Sequence, residues 1–275
     1  MIQSKSITKY SEGSFFESED AIALEAPLEI RLGFGSENER EQRSISVTMR
    51  TQGNDEELSL GFLITEGIIE HAKDLLSIKH CGEVKQEEKN NIIRAELKPE
   101  INVDWKKLDR HFYTTSSCGV CGKSSIEAVR NNCLLPIKTQ IKIQAKTILQ
   151  LAEQLNNSQL IFNLTGGIHA SALFDEKGTL LLIREDVGRH NALDKIIGAC
   201  ATKNELPLSE NILLLSGRIS FELVQKSAIA GIPIIAAFGA PSSLAVDLAE
   251  EMNITLIGFL KKDKFNIYTG NPRIQ

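Results

Sequence analysis

Residues 211–259 read NILLLSGRISFELVQKSAIAGIPIIAAFGAPSSLAVDLAEEMNITLIGF and alternate between two kinds of segment. The runs Asn211–Leu215, Pro233–Phe238 and Ile254–Phe259 are short and almost wholly apolar, which is typical of parallel strands buried on both faces. Between them, Phe221–Ala230 and Leu244–Met252 have the length and apolar spacing of helices. Strands that alternate with helices predict an α/β fold with a mostly parallel sheet.

The same alternation of strands and helices extends toward the N-terminus as far as Pro136, and the pattern then changes. Leu180–Ile183 is predicted to be a buried strand, with helices over Ile141–Leu155 and Gly188–Ile197. The first third is predicted to be mixed, with a helix over Asp55–Ile68 and three strands, at Leu28–Phe34, Ser44–Met49 and Asn91–Leu97. We therefore predict two domains, an N-terminal α+β domain over residues 1–135 and a C-terminal α/β domain over residues 136–275.

The composition excludes several classes of protein. The chain has 275 residues, of which 42% are hydrophobic, and this argues against intrinsic disorder. A formal charge of -5 provides no basic surface for nucleic acid, and no apolar run approaches the roughly 20 residues of a membrane span. Five scattered cysteines and the lack of an apolar segment near residue 1 argue against secretion. We expect a protein of the reducing cytoplasm that binds neither membrane nor nucleic acid.

The strongest local motif is the Cys-x-x-Cys pair in SSCGVCGKSS, residues 116–125. A structural zinc site would need a second ligand pair, and a deaminase zinc site would need a preceding His-x-Glu; neither accompanies this motif. A thioredoxin-like dithiol would lie between a strand and a helix, whereas these flanks indicate a loop. Gly119, Gly122 and Lys123 favour a thiolate, so we prefer a thiolate nucleophile within the Cys118/Cys121 pair. A dithiol, a zinc site and two incidental surface cysteines stay open as alternatives.

Polar residues follow each of the four strands predicted after residue 179. The carboxyl ends of parallel strands meet at one side of a sheet, so we expect these residues to converge on a site for a phosphorylated ligand. Helix caps, local ion pairs and solvated turns are the structural alternatives at each junction. His169, after Gly166 and Gly167, is a further candidate. The candidate binding residues at the junctions are Arg184, Arg189, His190, Ser216, Arg218, Ser242, Lys261, Lys262, Asp263 and Lys264.

Several long motifs together resemble the FdhD family of accessory sulfurtransferases for formate dehydrogenase. They occur in the family's order across residues 44–268. They are VTMRTQGNDEELSLGFLITEGII at 47–69, CGVCGK at 118–123, TGGIHASALFD at 165–175, REDVGRHNALDKIIG at 184–198, SGRISFELVQKSAIAGIPI at 216–234, APSSLAVDLAE at 240–250 and FNIYTG at 265–270.

The resemblance implies a fold, a cargo and partners. The fold would be an α/β/α sandwich of the cytidine deaminase type without its zinc, in a homodimer. Cys118 would accept persulfide sulfur from a cysteine desulfurase and pass it to the molybdenum or tungsten bis-molybdopterin guanine dinucleotide cofactor before the cofactor is inserted into formate dehydrogenase. The cofactor-binding stretch would be Phe259, Leu260, Lys261, Lys262, Asp263 and Lys264. No permanently bound metal is expected.

Three other functions stay open at this point. The chain could be a zinc-dependent nucleobase deaminase, a dithiol oxidoreductase or a cofactor chaperone in which the cysteines take no part. The sequence leaves undecided the donor desulfurase, the identity of the metal, the roles of Cys121 and His169, the recognition of the guanine and the dimer interface.

Overall fold

The computed structural model describes residues 1–82, 89–105 and 135–275, which form a two-stranded ribbon, a four-stranded sheet and a six-stranded sheet. The ribbon consists of β1 (Ile2–Ser11) and β2 (Ser14–Ala23), which pair antiparallel around Glu12 and Gly13. Both turn residues have positive φ, 51° for Glu12 and 83° for Gly13, as the tight turn of a hairpin requires. Sequence analysis did not predict this ribbon, because apolar residues alternate with polar ones only at its ends.

The four-stranded sheet has the order β4-β3-β6-β5 and packs one face on a helix. Leu28, Ile30 and Leu32 of β3 alternate with less buried residues and belong to the same hydrophobic core cluster as Leu58 and Leu63 of the helix α1. Its elements are β3 (Ala26–Gly35), β4 (Arg40–Arg50), α1 (Asp55–Thr65), β5 (Leu75–His80) and β6 (Ile92–Leu97), with a 3-10 turn at Ala72–Asp74.

The six-stranded sheet has the order β12-β11-β10-β9-β7-β8 and lies between two layers of helices. Leu213 and Leu215 of β9 pack on one layer, while Ile212 and Leu214 pack on the other. This is why the strand carries no polar alternation. Its strands are β7 (His169–Phe174), β8 (Leu180–Asp186), β9 (Ile212–Leu215), β10 (Ile234–Ala237), β11 (Thr255–Gly258) and β12 (Asn266–Thr269).

The helices cover the two faces of this sheet unequally. On one face lie α4 (Arg189–Thr202), α5 (Phe221–Ile229) and α6 (Ser243–Glu251). On the other lies α2 (Ala145–Ser158), followed by the short helix α3 (Leu160–Thr165). A 3-10 turn at Asn271–Arg273 follows the last strand. The predicted α/β architecture with helices on both sheet faces is confirmed. The prediction of a mostly parallel sheet was wrong, because β7 pairs antiparallel with β8 and β9, and β12 pairs antiparallel with β11.

Glycines bring α1 and α4 into backbone contact, and this contact joins the two sheets. A β-carbon at Gly61 would overlap the backbone oxygen of Asp194, and one at Gly198 would overlap the backbone oxygen of Glu57. Only glycine therefore allows the two helices to approach this closely. We call the contact of α1 with α4 and α5 the helix junction. The predicted domain boundary near Pro136 stays a prediction, but the segments on its two sides share this junction.

Several predicted element boundaries were wrong; for example, the helix predicted over Gly188–Ile197 continues to Thr202. The strand predicted over Leu180–Ile183 continues to Asp186, because residues 184–186 still pair with β7. Arg184 is therefore a strand residue and does not belong to the following loop. The helix predicted from Ile141 begins at Ala145, because Ile143 forms a parallel β-bridge with Ile274. Apolar spacing alone did not distinguish that extended segment from the helix that follows it.

Candidate functional site

The direction of the strands brings four loops to one side of the six-stranded sheet. β7 is antiparallel to both β8 and β9, while β10 is parallel to both β9 and β11. Strands β8, β9, β10 and β11 therefore all end at the same side, as predicted. We call the loops that follow them, residues 187–189, 216–220, 238–242 and 259–264, together with His169 at the start of β7, the carboxyl rim. This is where open α/β sheets bind ligands.

Backbone hydrogen bonds tie the central loops of the carboxyl rim to one another. The Ile219 amide donates to the Ala240 oxygen at 3.0 Å, and the Gly239 amide donates to the Gly217 oxygen at 3.1 Å. A β-carbon at Gly239 would lie 2.8 Å from that same Gly217 oxygen, so the loops meet without intervening side chains. The Phe259 amide then donates to the Gly239 oxygen at 3.1 Å. The loops after β9, β10 and β11 are therefore connected to one another through their backbones.

The stretch expected to bind the cofactor lies at one end of the carboxyl rim. Phe259 has φ 53°, which turns the chain after β11, and Leu260 is buried against the α2 side of the sheet. The Lys261 amide donates to the Lys264 oxygen at 2.8 Å and closes a turn. The side chains of this turn, Lys261, Lys262, Asp263 and Lys264, are all exposed. The turn thus presents three ammonium groups and one carboxylate to solvent.

Arg189 and His190 begin α4; Arg189 belongs to the carboxyl rim, and His190 directly follows it. The Nε2 atom of His190 is 3.3 Å from the Ser220 hydroxyl and 3.8 Å from a Glu222 carboxylate oxygen. Burial above all, and then the charges of Lys226 and Arg189, lower the pKa of His190 to about 3, so its imidazole is neutral at neutral pH. Burial and Arg189 also lower the pKa of His169. The Nε atom of Arg189 is buried and has no hydrogen-bond partner.

The other candidate residues divide into those that lie at the carboxyl rim and one that does not. Ser216 accepts a hydrogen bond from the Ala170 amide at 2.8 Å, and Ser242 caps α6 by accepting one from the Ala245 amide. Arg218 is exposed in the loop after β9. Arg184 instead donates two hydrogen bonds to Glu57 of α1, at 2.6 and 2.7 Å. Its guanidinium belongs to the contact between the sheets, so its assignment to the ligand site has no support in this geometry.

A buried polar network at the end of β8 supports the carboxyl rim. Asp186, which is fully buried at the end of β8, accepts hydrogen bonds from the amides of Thr51 and Gly188 and lies 2.7 Å from the ammonium of Lys195. The Asn191 side chain bridges Asp186 to the Met49 oxygen. These contacts hold the start of α4 against the end of β4, so the first part of the chain positions the rim.

Sequence reasoning did not single out Gln159, Ser220 or Glu222, although the last two lie within the motif at residues 216–234. Ser220 and Glu222 surround His190, and Gln159 lies at the end of α2 beside the carboxyl rim. Cys118, Cys121 and also Cys133 lie outside the described residues. Of the described cysteines, Cys81 is half-buried and Cys200 is buried. Burial and Glu205 raise the pKa of Cys200 to about 11, so this thiol is a poor nucleophile at neutral pH.

Across residues 1–82, 89–105 and 135–275, no three His, Cys, Asp or Glu side chains cluster as metal ligands would. None of the helices described above combines the length and apolar character needed to cross a membrane.

The fold and its carboxyl rim define a mixed α/β protein with loops of the ligand-binding kind at the ends of its strands. Comparison with known proteins identifies it further. The sequence model of the FdhD/NarQ family matches residues 24–275, so the chain belongs to the FdhD/NarQ family.

Similar proteins of known name cover nearly the whole chain. The sulfur carrier protein FdhD of Mycolicibacterium paratuberculosis is 46% identical over 271 residues, which is 98% of this chain and 97% of that protein. The sulfur carrier protein FdhD of Saccharolobus solfataricus is 39% identical and covers 98% of this chain and 96% of its own. A crystal structure described as a formate dehydrogenase accessory protein, from Desulfotalea psychrophila, has TM-score 0.77 at 24% identity, covering 100% of this chain and 99% of its own, and shows the same fold.

Proposed function

We propose that the chain is a sulfurtransferase that carries persulfide sulfur for the activation of formate dehydrogenase. The names of its relatives, sulfur carrier protein FdhD, support the sulfur-carrying role. The proposed cargo rests on the three-lysine turn of residues 261–264, which belongs to the same carboxyl rim as Arg189 and Arg218. Clustered cations and backbone amides at the ends of strands suit a phosphorylated ligand. The cargo would be the bis-molybdopterin guanine dinucleotide cofactor with its molybdenum or tungsten.

The first step of the proposed relay loads sulfur onto Cys118. Its thiolate attacks the terminal sulfur of a persulfide on a cysteine desulfurase, a new S–S bond forms, and the donor thiolate leaves with the electron pair of the broken bond. Cys118 then holds the sulfur as its own persulfide. Such a sulfur is a soft ligand for molybdenum or tungsten.

The second step delivers that sulfur to the metal of the bound cargo. Attack by the Cys121 thiolate on the inner sulfur of the Cys118 persulfide would form a Cys118–Cys121 disulfide and release the outer sulfur as sulfide, which ligates the metal. The two electrons that convert the outer sulfur to sulfide come from the thiols of Cys118 and Cys121. A cellular thiol reductant must therefore reduce the Cys118–Cys121 disulfide before the next cycle. We place this chemistry in the cytoplasm, in a homodimer whose subunits have the sandwich of the cytidine deaminase type.

Intact-mass measurement after incubation with a cysteine desulfurase and cysteine tests the relay. We expect wild type and the control Cys81→Ala to gain one sulfur atom, about 32 Da, and Cys118→Ala to gain none. Equal loading of Cys118→Ala would overturn the assignment. Formate dehydrogenase activity in cells separates the carrier from a chaperone: Cys118→Ala should abolish the activity, whereas normal activity would mean that the protein escorts the cofactor without using its cysteines.

A further inference from the structure

The ribbon of β1 and β2 has little cover from the described part of the chain. Each strand has ten residues, and none of these twenty residues is buried. Both strands are edges, because the ribbon joins neither of the larger sheets. A hairpin of two strands is at best marginally stable in water unless another element packs on it. The short helix α3, which β2 contacts, provides part of that cover, and the rest of the ribbon surface is open.

One face of the ribbon carries an aromatic pair at its tip. Residues directly opposite each other in two paired strands share a face, so Tyr10 lies beside Phe15. Their rings are 5.0 Å apart between centroids, and the two residues are 64% and 76% exposed. Exposed apolar groups that adjoin one another mark interaction surfaces. We call this side of the ribbon the aromatic face; it consists of Ile2, Ser4, Ser6, Thr8, Tyr10, Phe15, Glu17, Glu19, Ala21 and Ala23.

The charged side chains of the ribbon are divided unequally between its two faces. The two lysines and the aspartate of the strands all lie on the opposite face. The aromatic face has two carboxylates, and both accept hydrogen bonds within the ribbon. Glu17 accepts from the Thr8 hydroxyl at 3.0 Å, and Glu19 accepts from the Ser4 hydroxyl at 2.6 Å. The cores of protein interfaces are likewise enriched in aromatic residues and depleted of lysine and aspartate.

The helix α3 extends the apolar surface beyond the ribbon. None of its six residues is buried. Leu160 and Leu164, one helical turn apart, are 73% and 63% exposed. The Glu185 carboxylate of the edge strand β8 accepts from the amides of Ile161 and Phe162, at 3.0 and 2.8 Å. These bonds fix α3 on the larger sheet while both leucines stay open to solvent.

The size of this open surface and its need for permanent cover indicate a second copy of the chain. One partner in a standard interface contributes about 20–30 residues, which is the size of the ribbon together with the two leucines. A hairpin that is marginal without cover needs that cover whenever the protein is folded. A partner that binds only during sulfur transfer would leave it bare for the rest of the cycle. A second copy is always available, and a two-fold axis covers both ribbons at once.

We propose that the aromatic face and the two α3 leucines form a two-fold interface between two copies of the chain. An axis parallel to the strands places β1 of each copy over β2 of the other. The aromatic tips then pack on each other, and the glutamates of β2 face the hydroxyl residues of β1 instead of other glutamates. The proposal deepens the proposed function, because it provides the homodimer named there with a contact surface.

Light scattering over a dilution series of the purified protein tests the interface. We expect wild type to be a dimer. Phe15→Glu and Leu164→Glu should each raise the dimer dissociation constant by about a hundredfold or more, because a two-fold interface contains every substitution twice. Both positions are exposed, so the two larger sheets should keep their fold. Leu76→Glu, at a similarly exposed leucine of β5, is the matched control and should dimerise as wild type does.

Hydrogen exchange separates a second copy from cover by the chain itself. The amides of residues 2–23 should exchange faster after dilution, whereas those of the buried strand β9 should not change. Protection of the ribbon that does not depend on concentration would overturn the proposal.

The oligomeric states decide the rest. A wild-type dimer that both variants lose and Leu76→Glu retains supports the interface. A dimer that either variant retains, or that Leu76→Glu loses equally, overturns it and leaves the homodimer of the proposed function with a contact elsewhere. A monomeric wild type overturns both the interface and the homodimer, while sulfur loading of Cys118 still tests the relay independently.

Discussion

The helix junction and the carboxyl rim differ in whether their buried polar groups have hydrogen-bond partners. At the junction, the ammonium of Lys226 donates to both carboxylate oxygens of Asp194, at 3.0 and 2.9 Å, and to the Thr65 hydroxyl at 2.7 Å. At the rim and beside it, the Nε atom of Arg189, the amide nitrogen of Gln159 and one oxygen of Glu222 are buried without partners. The comparison teaches that the polar groups of the helix junction are saturated, whereas three of those at the rim are not; buried groups without partners also occur at His80, Asn91, Arg94 and Ser171.

The charge state of the junction follows from these contacts. Burial lowers the pKa of Lys226, but the carboxylates of Asp194 and Glu66 raise it by more, so the lysine stays charged. Burial raises the pKa of Asp194, which Lys226 and Thr65 oppose. We take the pair as ionised, because neutralising either partner would forfeit the short hydrogen bonds of both.

The largest effect on stability is expected when the ion pair of the helix junction is removed. Lys226→Met would leave Asp194 buried without a counter-charge and should lower the free energy of unfolding by about 3–5 kcal/mol. Urea denaturation measures this loss, with Lys203→Met, at an exposed position directly after α4, as the control. The double variant Lys226→Met with Asp194→Leu should recover part of it. A single variant as stable as wild type would show that the junction does not depend on this ion pair.

The next largest effect concerns the close helix contact. Gly198→Ala would force α1 and α4 apart and should destabilise the protein by about 2–3 kcal/mol, even though alanine favours a helix. Gly82→Ala is the matched control, since nothing lies within 4 Å of the added carbon. Thermal and urea unfolding of the two variants measure the difference, and equal stability of the two would contradict the backbone contact.

His190 links the two regions and should give stability an acid dependence. Its pKa is about 3 in the folded protein and near 6.5 when unfolded, so the unfolded chain binds the extra proton between these values. Stability is therefore lost as the pH falls below about 6.5. Between pH 7 and pH 5, His190 should account for about 1–2 kcal/mol of the loss. Urea denaturation of His190→Asn should show a shallower decline than wild type; parallel declines would contradict a buried neutral imidazole.

The smallest effect on stability is expected at the lysine turn. Replacing Lys261, Lys262 and Lys264 together by glutamine should change the free energy of unfolding by less than about 0.5 kcal/mol, because all three side chains are exposed. Calorimetry with GDP should nevertheless show at least a tenfold loss of affinity and a weaker dependence on salt. Unchanged GDP binding would remove the turn from the proposed ligand site.

Sequence patterns predicted those parts of the fold that depend on local burial. The apolar runs at residues 211–215, 233–238 and 254–259 are confirmed as β9, β10 and β11, because strands covered on both faces need apolar residues throughout. Strand β7 was not predicted, since its six residues follow a glycine pair. The sequence pattern also does not reveal that β7 runs antiparallel to both of its neighbours, because the direction of a strand is decided by tertiary packing.

The candidate site was predictable only where its chemistry is concentrated in loops. The lysine turn and the start of α4 stand out because charged residues follow an apolar strand. Gln159 could not be recognised, since its significance is the absence of a partner in three dimensions. Arg184 was assigned wrongly to a loop because one further pairing step of β8 places it in the strand, and from there it reaches Glu57.

The reversed direction of β7 has a practical consequence for handling the protein. β7 starts at the carboxyl rim and leaves the sheet about 20 Å away at its opposite end, where the exposed residues Glu176 and Lys177 turn the chain into β8. A short biotin-acceptor peptide inserted between these two residues would tether single molecules with the rim facing solution. Repeated cycles of loading and release could then be watched on one molecule while its working surface stays accessible to both donor and acceptor.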